Sequence, residues 1–532
     1  MKTTKFLYIL PLALLISISC EQELIVLEPP VVVPPVTSGT PGTANFSKFI
    51  AVGNSFVAGV QGGALFTDGQ NNSLPAIMAK QFAFSGVGGG PFVQADIKAS
   101  LGWNLFAPQA FLVDNTKPIL GRMLLQGASP KPTPQAYPPG NIEALPSPVN
   151  TNFIYGTNGD GKATLNNFGV SAIFLGQSLI PQTGAWAGAG VDPRFSPFYG
   201  RLAYPGTGTS TIIGDAAAAG GSFFLFYLGL DDFFLYAAFG GDPTKAPLTP
   251  ATGGLPSGFD GQYAAAVGSL LASNANLKGV VGNFPDIFKM PHFTSVPWNA
   301  VPLDAATASG LTINLAINYN LFLDGMVASS KISADEAAKR KLQYIAGQNA
   351  ILINDETLTD LSPYMAGPYA GLAPYAMARQ TKNSDILPLT AGSVIGTLIG
   401  GDPNKVNGVS IPLADQYVLI PTEIQAISIA RASYNTTVQA VVNANSTRLA
   451  LADIDAALEA LIASKAAVYN NVTITPIINP PTGIYSEDGV HPNSRGYAFL
   501  SNVFIGAINT KFEATVPLTD LSKYKATGLP IP

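Results

Sequence analysis

The residues from Ser222 to Leu228 read SFFLFYL, an almost uninterrupted run of apolar and aromatic side chains. A strand with one wet face alternates polar and apolar residues, whereas a continuous apolar run fits a strand that is covered on both faces. Such strands are typical of parallel sheets. The run ends at Gly229, so the sequence predicts a buried parallel strand that stops in a turn.

Further strands and helices alternate along the chain. Strands are predicted at Phe49–Val52, at 279–283 and at Leu449–Ala452, with helical stripes around Phe259 and after Pro421. Alternation of this kind predicts an α/β fold with a parallel sheet. A last helix is expected after Asn493, which can cap it.

Two long segments interrupt this pattern. The first, near 84–150, contains many prolines and is interpreted as an irregular insertion or lid over the core. The second, near 290–420, has one helical stretch near 335–346 followed by turns rich in proline and glycine. We therefore expect large loop insertions in one domain that covers 49–510, followed by a tail at 511–532.

Composition excludes several classes of function. The chain has 532 residues, 47% of them hydrophobic, and a net charge of −5. This is enough to bury a large core in one elaborated domain or two, and it offers no basic surface for nucleic acid. Two histidines and one cysteine make no metal cluster, and no phosphate-binding glycine loop is present. We expect neither a metal nor a cofactor.

The N-terminus has the pattern of an export signal. Lys2 and Lys5 precede an apolar run that ends just before Cys20, the only cysteine. The pattern up to Cys20 resembles a bacterial lipoprotein signal, although Ser17 stands where leucine is usual. The resemblance implies that residues 1–19 are removed and that Cys20 is lipidated, which would attach the protein to a membrane. An ordinary cleaved signal and a coincidental cysteine are the alternatives.

Residues 20–48 are predicted to be a linker. Two Pro-Pro pairs, at 29–30 and 34–35, favour an extended spacer. Glu21 and Glu23 resemble the surface-export signals of some Bacteroidetes lipoproteins, and they also fit a simple solvated tail. These features predict a location in the bacterial cell envelope, as an outer-membrane lipoprotein, with exposure at the cell surface as one alternative.

Ser55 is the first candidate catalytic residue. The apolar run from Phe49 breaks at Gly53, so Ser55 is expected where a strand turns into a helix. The first N–H groups of a helix can stabilise an oxyanion, which makes a serine there a candidate nucleophile. The alternative role is a helix cap.

Asp488 and His491 are the second candidate pair. They are three residues apart in a loop before the last helix, close enough for the carboxylate to accept the ring N–H. If folding brings Ser55 to them, the three form a nucleophile, a base and an orienting group. Alternatively, Asp488 caps the following helix region and His491 is a surface residue.

At these residues the chain resembles the SGNH, or GDSL, hydrolase family. Gly53-Asn54-Ser55-Phe56 is similar to the first block of that family, Gly169 to the glycine of the second, and Asp488-x-x-His491 to the last block. The resemblance implies a three-layer, flavodoxin-like α/β/α sandwich. It also implies ester hydrolysis through a serine acyl-enzyme, with the N–H groups of Ser55 and Gly169 as oxyanion donors.

The third block departs from the family pattern. Members carry Gly-x-Asn-Asp, but this chain has Gly229-Leu230-Asp231-Asp232. An ionised Asp231 can only accept hydrogen bonds, although a protonated one, kept neutral by its apolar neighbours, could donate. Asn283, after the next strand, is another possible donor.

Two functions follow from these residues. The first is an exported, lipid-anchored serine esterase that acts on a small-molecule, lipid or glycan ester. The second is a catalytically weak or inactive surface lipoprotein that binds a glycan or lipid through aromatic loops, which the Asp231 substitution favours. An acyl chain, an acetylated sugar and a phospholipid are all open as substrates.

Overall fold

Five parallel strands form the central sheet of the protein. A computed structural model places them in the order β5-β4-β3-β1-β2. The strands are β1 (Phe49–Gly53), β2 (Asn167–Gly169), β3 (Phe223–Tyr227), β4 (Lys278–Gly282) and β5 (Leu449–Ala452). The expectation of an α/β fold with a parallel sheet is therefore confirmed, and β3 is the middle strand.

The structure describes residues 38–104, 120–127, 131–137, 154–155, 160–189, 191–203 and 208–527. The predicted signal peptide, Cys20 and most of the linker lie outside the described residues, as do large parts of the first insertion.

The middle strand explains why SFFLFYL has no polar position. Phe223 and Tyr227 face the C-terminal helix, where their rings meet those of Phe512 and Phe504 at centroid distances of 5.7 and 5.9 Å. The intervening Phe226 points to the other face and meets Tyr263 at 5.3 Å. Both faces of β3 are covered by helices, so each of its side chains needs apolar character.

Among the described residues, eight helices pack on or next to the sheet. They are α1 (Ser55–Ala58), α2 (Leu74–Phe82), α3 (Ile212–Ala218), α4 (Asp231–Ala238), α5 (Phe259–Ser273), α6 (Pro421–Ala444), α7 (Ile454–Ser464) and α8 (Ser494–Phe512). Asn493 caps α8 by accepting from the Gly496 N–H, as predicted. The tail then folds back, with Val516 and Leu521 buried. Within the part of the chain that is described, no helix combines the length and apolar character needed to cross a bilayer.

The first insertion contains regular structure despite its prolines. Its strands Leu120–Gln126 and Lys131–Ala136 pair as an antiparallel hairpin, with Pro132 opposite Leu125 and Pro134 opposite Met123. The sequence predicted an irregular segment here. A two-stranded hairpin has only edge strands, and on such an edge the missing proline N–H groups cost no ladder bond.

The second insertion has two hydrophobic clusters of its own. One gathers around Tyr319 and Phe322, and the other around Ile351 and Leu387. The segment contains the helices Pro291–Thr294, Ala305–Leu311, Ile317–Ala328 and Ala334–Arg340, and the strands Val301–Leu303, Gly347–Asn349, Leu352–Asn354, Ala378–Gln380, Leu398–Ile399 and Asp402–Val406. The remaining short elements are the helices Thr67–Asn71 and Pro197–Ala203 and the strands Ala64–Leu65, Trp103–Asn104, Ala467–Tyr469 and Val472–Ile474.

Two glycine-to-alanine changes test this packing. A Cβ on Gly53 would lie 2.5 Å from the backbone oxygen of Tyr227 and would also collide with Val57. We expect Gly53→Ala to lower the free energy of unfolding by about 1–3 kcal/mol, because a strand backbone must shift. A Cβ on Gly268, in α5, meets nothing within 4 Å. Gly268→Ala is the control, and it should stabilise the protein by about 0.5–1 kcal/mol. Denaturant unfolding of both variants measures the difference, and equal effects would contradict this account.

Candidate active site

Ser55 lies at the carboxyl end of β1, in the turn that the sequence predicted. The backbone N–H of Asn54 donates to the Tyr227 oxygen at 3.1 Å, and Oδ1 of Asn54 accepts from the Phe56 N–H at 3.1 Å. These two bonds fix the turn between β1 and α1. Ser55 is the first residue of α1, so its own N–H has no acceptor within the helix.

The hydroxyl of Ser55 contacts the loop that follows β2. Its Oγ accepts from the backbone N–H of Ala172 at 3.0 Å. Ala172 has a φ of +50°, in the left-handed region that residues with a side chain rarely adopt. Strained backbone of this kind persists where the surrounding structure imposes it, often at functional sites. Ala172 is therefore the backbone donor beside Ser55.

Gly169 does not have the donor role that the family resemblance implied. Its N–H donates to Oδ1 of Asn167 at 2.9 Å. A Cβ at Gly169 would collide with the backbone of Val57 and Ala58. The glycine thus allows β2 to approach α1 closely, and Ala172 stands where Gly169 was expected.

Asp488 and His491 make the contact that their spacing predicted. Nδ1 of His491 lies 2.8 Å from Oδ2 of Asp488. Oδ1 accepts from the N–H groups of Val490 and His491, each at 2.8 Å, and Oδ2 also accepts from the Gly63 N–H. Because a carboxylate can only accept, Nδ1 carries the ring proton and Nε2 is left as the basic nitrogen.

The charge of Asp488 is held by the same groups. Burial alone would raise its pKa, but the His491 imidazole and the N–H groups of Val490 and His491 outweigh burial and keep the pKa below its usual value. Asp488 is therefore an ionised group at neutral pH, and it can orient His491 and stabilise its protonated form.

The two ends of the domain meet at this point. The Gly62 N–H donates to Oγ of Ser486 at 2.9 Å, next to the bond from Gly63 to Asp488. The ring of Phe56, the neighbour of Ser55, lies 5.5 Å from the His491 ring. Ser55 and His491 are both buried. The structure thus brings the loop with Asp488 and His491 against the segment that follows Ser55.

His292 is a neighbour of this loop that sequence reasoning did not place there. Its Nδ1 lies 2.9 Å from the Asp488 carbonyl oxygen, and its backbone N–H donates to the Gly489 oxygen at 3.0 Å. Because a carbonyl oxygen only accepts, Nδ1 is the donor. Burial lowers the pKa of His292, so its ring stays neutral. No local spacing could reveal this contact, since 196 residues separate the partners.

Asp231 and Asp232 hold the loop that carries Ala172. Oδ2 of Asp231 accepts from the Ile173 N–H at 3.0 Å. Oδ2 of Asp232 accepts from the Leu175 N–H at 2.8 Å, and its Oδ1 accepts from the Thr249 hydroxyl at 2.7 Å. Both side chains are buried at the start of α4, so this pair braces the loop against the sheet.

Burial also shifts the titration of this pair. It raises the pKa of Asp231 to about 6, and the Ile173 N–H, His491 and the Asn54 amide limit the rise. It raises the pKa of Asp232 to about 7 against the bonds from Leu175 and Thr249. At neutral pH Asp231 is mostly ionised and accepts hydrogen bonds. The alternative that a protonated Asp231 donates a hydrogen bond is therefore not favoured.

Asn283 takes no part in the arrangement around Ser55. Its Nδ2 donates to Asp453 at 2.8 Å, and its Oδ1 accepts from the Asp455 N–H at 3.1 Å. Both amide atoms are thus committed at the start of α7, beyond β4 and β5. The prediction that Asn283 donates to an oxyanion is therefore wrong.

One acidic group within the described residues has the spacing of metal ligands. Glu356, Asp415 and Glu423 each offer an oxygen within 4.8 Å of the others. Burial raises the pKa of Glu423, and the charges of Glu356 and Asp415 add to the rise. Retention of a proton by Glu423 lowers the repulsion between the three carboxyl groups without an ion.

Comparison with known proteins found no matching family model, no matching curated protein and no matching solved structure.

A change at Asp232 tests the electrostatics of the brace. The folded state binds the Asp232 proton more tightly than the unfolded chain does. The loss of stability that comes from ionising this buried carboxyl is therefore absent below about pH 4 and grows as the pH rises to about 7. Asp232→Asn keeps the shape and cannot titrate. We expect the free energy of unfolding of the wild type, relative to that of this variant, to fall between pH 4 and pH 7.5 by about 1.4 kcal/mol for each unit of pKa shift, as measured by denaturant unfolding at each pH. A difference that is constant with pH would contradict the prediction.

Proposed function

We propose that the protein is a serine ester hydrolase of the SGNH type, with Ser55 as nucleophile, His491 as base and Asp488 as its orienting group. The observation that carries the proposal is the bond from His491 Nδ1 to the Asp488 carboxylate, in a loop packed against the Ser55 turn. We propose also that the helices on the two faces of β3 belong to the outer layers of a three-layer α/β/α sandwich.

The first half of the reaction acylates the enzyme. Ser55 Oγ forms a bond to the ester carbonyl carbon while Nε2 of His491 takes the hydroxyl proton, and the carbonyl electrons move to its oxygen. When this oxyanion collapses, the bond to the alcohol breaks and the departing oxygen takes the proton from His491. Asp488 stabilises the imidazolium between these steps.

The second half releases the acid. Water attacks the acyl carbon and gives its proton to His491, and the new oxyanion collapses by expelling Ser55 Oγ, which takes that proton back. In both halves the N–H groups of Ser55 and Ala172 are the proposed backbone donors to the oxyanion. Their support is the bond from Ala172 to Ser55 Oγ and the orphan N–H at the start of α1.

Export, lipid anchoring through Cys20 and a location at the outer membrane are part of the proposal and rest on the sequence. The substrate class is a carboxylic ester of a small molecule, lipid or glycan.

A second function, ligand binding without efficient catalysis, is favoured by Asp231. Its carboxylate is ionised above a pKa of about 6 and lies in the electrostatic environment of His491. A negative charge there opposes an oxyanion, and the loss of one oxyanion donor typically costs about 10²–10³ in rate. In this alternative the site binds a glycan or lipid and does not turn it over.

Replacement of Ser55 distinguishes these functions. We expect Ser55→Ala to abolish hydrolysis of p-nitrophenyl acetate and covalent labelling by a fluorophosphonate, since no nucleophile remains. The control is Ser309→Ala, at an exposed serine of the second insertion, which should keep both signals. Unchanged hydrolysis in Ser55→Ala would refute the mechanism, and an unlabelled wild type would favour the binding function.

Replacement of Asp488 tests the orientation of the base. In Asp488→Asn the amide can donate to Nδ1 of His491, which shifts the ring proton to Nε2 and removes the base. We expect kcat to fall by about 10⁴-fold, as the wrong tautomer does in serine triads. Circular dichroism first shows that the variant is folded as the wild type is, and steady-state hydrolysis then measures its kcat. A loss below tenfold would show that Asp488 has only a structural role.

A further inference from the structure

The proposed reaction lacks a side-chain donor for the oxyanion. Oδ2 of Asp231 already accepts from the Ile173 N–H. When Asp231 is ionised it has no proton to donate, although it occupies the position where the SGNH pattern has an asparagine. A side-chain donor to the oxyanion must therefore come from another residue.

Asn54 offers such an amide beside the nucleophile. Its side chain is completely buried, with 0% exposed. Because Oδ1 accepts from the Phe56 N–H, the orientation of the amide is fixed and Nδ2 is the free end. Within the described part of the chain, Nδ2 has no hydrogen-bond partner.

The environment of this amide indicates where it acts. A hydrogen bond from the Asn54 side chain is one of the interactions that lower the pKa of the neighbouring Asp231 carboxyl. By distance and angle, however, no described acceptor receives a well-formed hydrogen bond from Nδ2. Asp231 in turn holds Ile173, the neighbour of the Ala172 donor on Ser55 Oγ. Buried donors without a partner are rare in folded proteins, and an unmet donor at a reactive site is explained when the ligand supplies the acceptor.

We infer that Nδ2 of Asn54 donates to the oxyanion, which Asp231 cannot do when it is ionised. This inference rests on the proposed hydrolase function. As Ser55 adds to the carbonyl carbon, the oxygen that receives the electron pair accepts from Ser55 N–H, Ala172 N–H and Asn54 Nδ2. Asp231 keeps its separate task of holding the loop through Ile173.

The test replaces the amide without adding charge. Asn54→Ser keeps an oxygen that can cap α1 and lacks the Nδ2 donor. We expect kcat for p-nitrophenyl acetate to fall by about 10²–10³-fold with little change in KM, because the bond forms only in the transition state. The rate of fluorophosphonate labelling should fall in parallel. The control is Ser309→Ala, at an exposed serine of the second insertion, which should keep the wild-type kcat.

The double variant separates a catalytic role of Asn54 from a structural one. The double variant Asn54→Ser with Asp231→Asn has an amide at position 231, where the SGNH pattern has asparagine, and we expect its kcat to be at least tenfold higher than that of Asn54→Ser. If Asn54→Ser lost activity only because the cap of α1 failed, an amide at position 231 would not restore kcat. Circular dichroism and thermal melting of each variant confirm that the compared proteins are folded.

The outcomes also distinguish a failure of this inference from a failure of the proposed hydrolase function. If Ser55→Ala is inactive while Asn54→Ser keeps kcat within threefold of wild type, the hydrolase stands and the role of Asn54 is refuted. A change confined to the pH profile of Asn54→Ser would show that the amide serves Asp231 only. If Ser55→Ala hydrolyses the ester as the wild type does, the serine mechanism fails and the inference fails with it.

Discussion

The buried carboxylate of Asp488 is the interaction on which the rest of the site depends. It accepts from Gly63, from two N–H groups of its own loop and from the His491 ring. Gly63 and Asp488 are 425 residues apart in sequence. One ion therefore ties the segment after Ser55 to the His491 ring, and its burial is tolerable because both of its oxygens accept hydrogen bonds. Without it the tautomer of His491 would no longer be fixed.

Features that depend on local sequence could be predicted, and those that depend on distant pairing could not. The strand at 223–227 follows from an apolar run, and the contact between Asp488 and His491 follows from their spacing. The roles of Gly169 and Asn283 were misjudged because each commits its polar atoms to partners set by tertiary packing. Ala172 carries no sequence signal, since alanine is not expected at a positive φ.

The second insertion shows the same limit at a larger scale. The sequence of this insertion, rich in glycine and proline, did not predict its two hydrophobic clusters. Its short elements each bury only a few residues, so they leave no periodic apolar pattern along the chain. At its start the insertion is joined to the site by His292, which contacts both Asp488 and Gly489. The second insertion therefore also supports the loop that carries Asp488 and His491.

Asp231 and Asp232, at the start of α4, both hold the loop at 173–175 and contribute negative charge to the site. A helix N-terminus and the N–H groups of Ile173 and Leu175 favour their ionised forms, and burial opposes ionisation. A protonated carboxyl still accepts through its carbonyl oxygen, so the loop can keep both bonds in either state. Protonation of Asp231 therefore changes the charge that His491 experiences without requiring the loop to move. The two aspartates thus set the electrostatics of the site without altering the position of the loop.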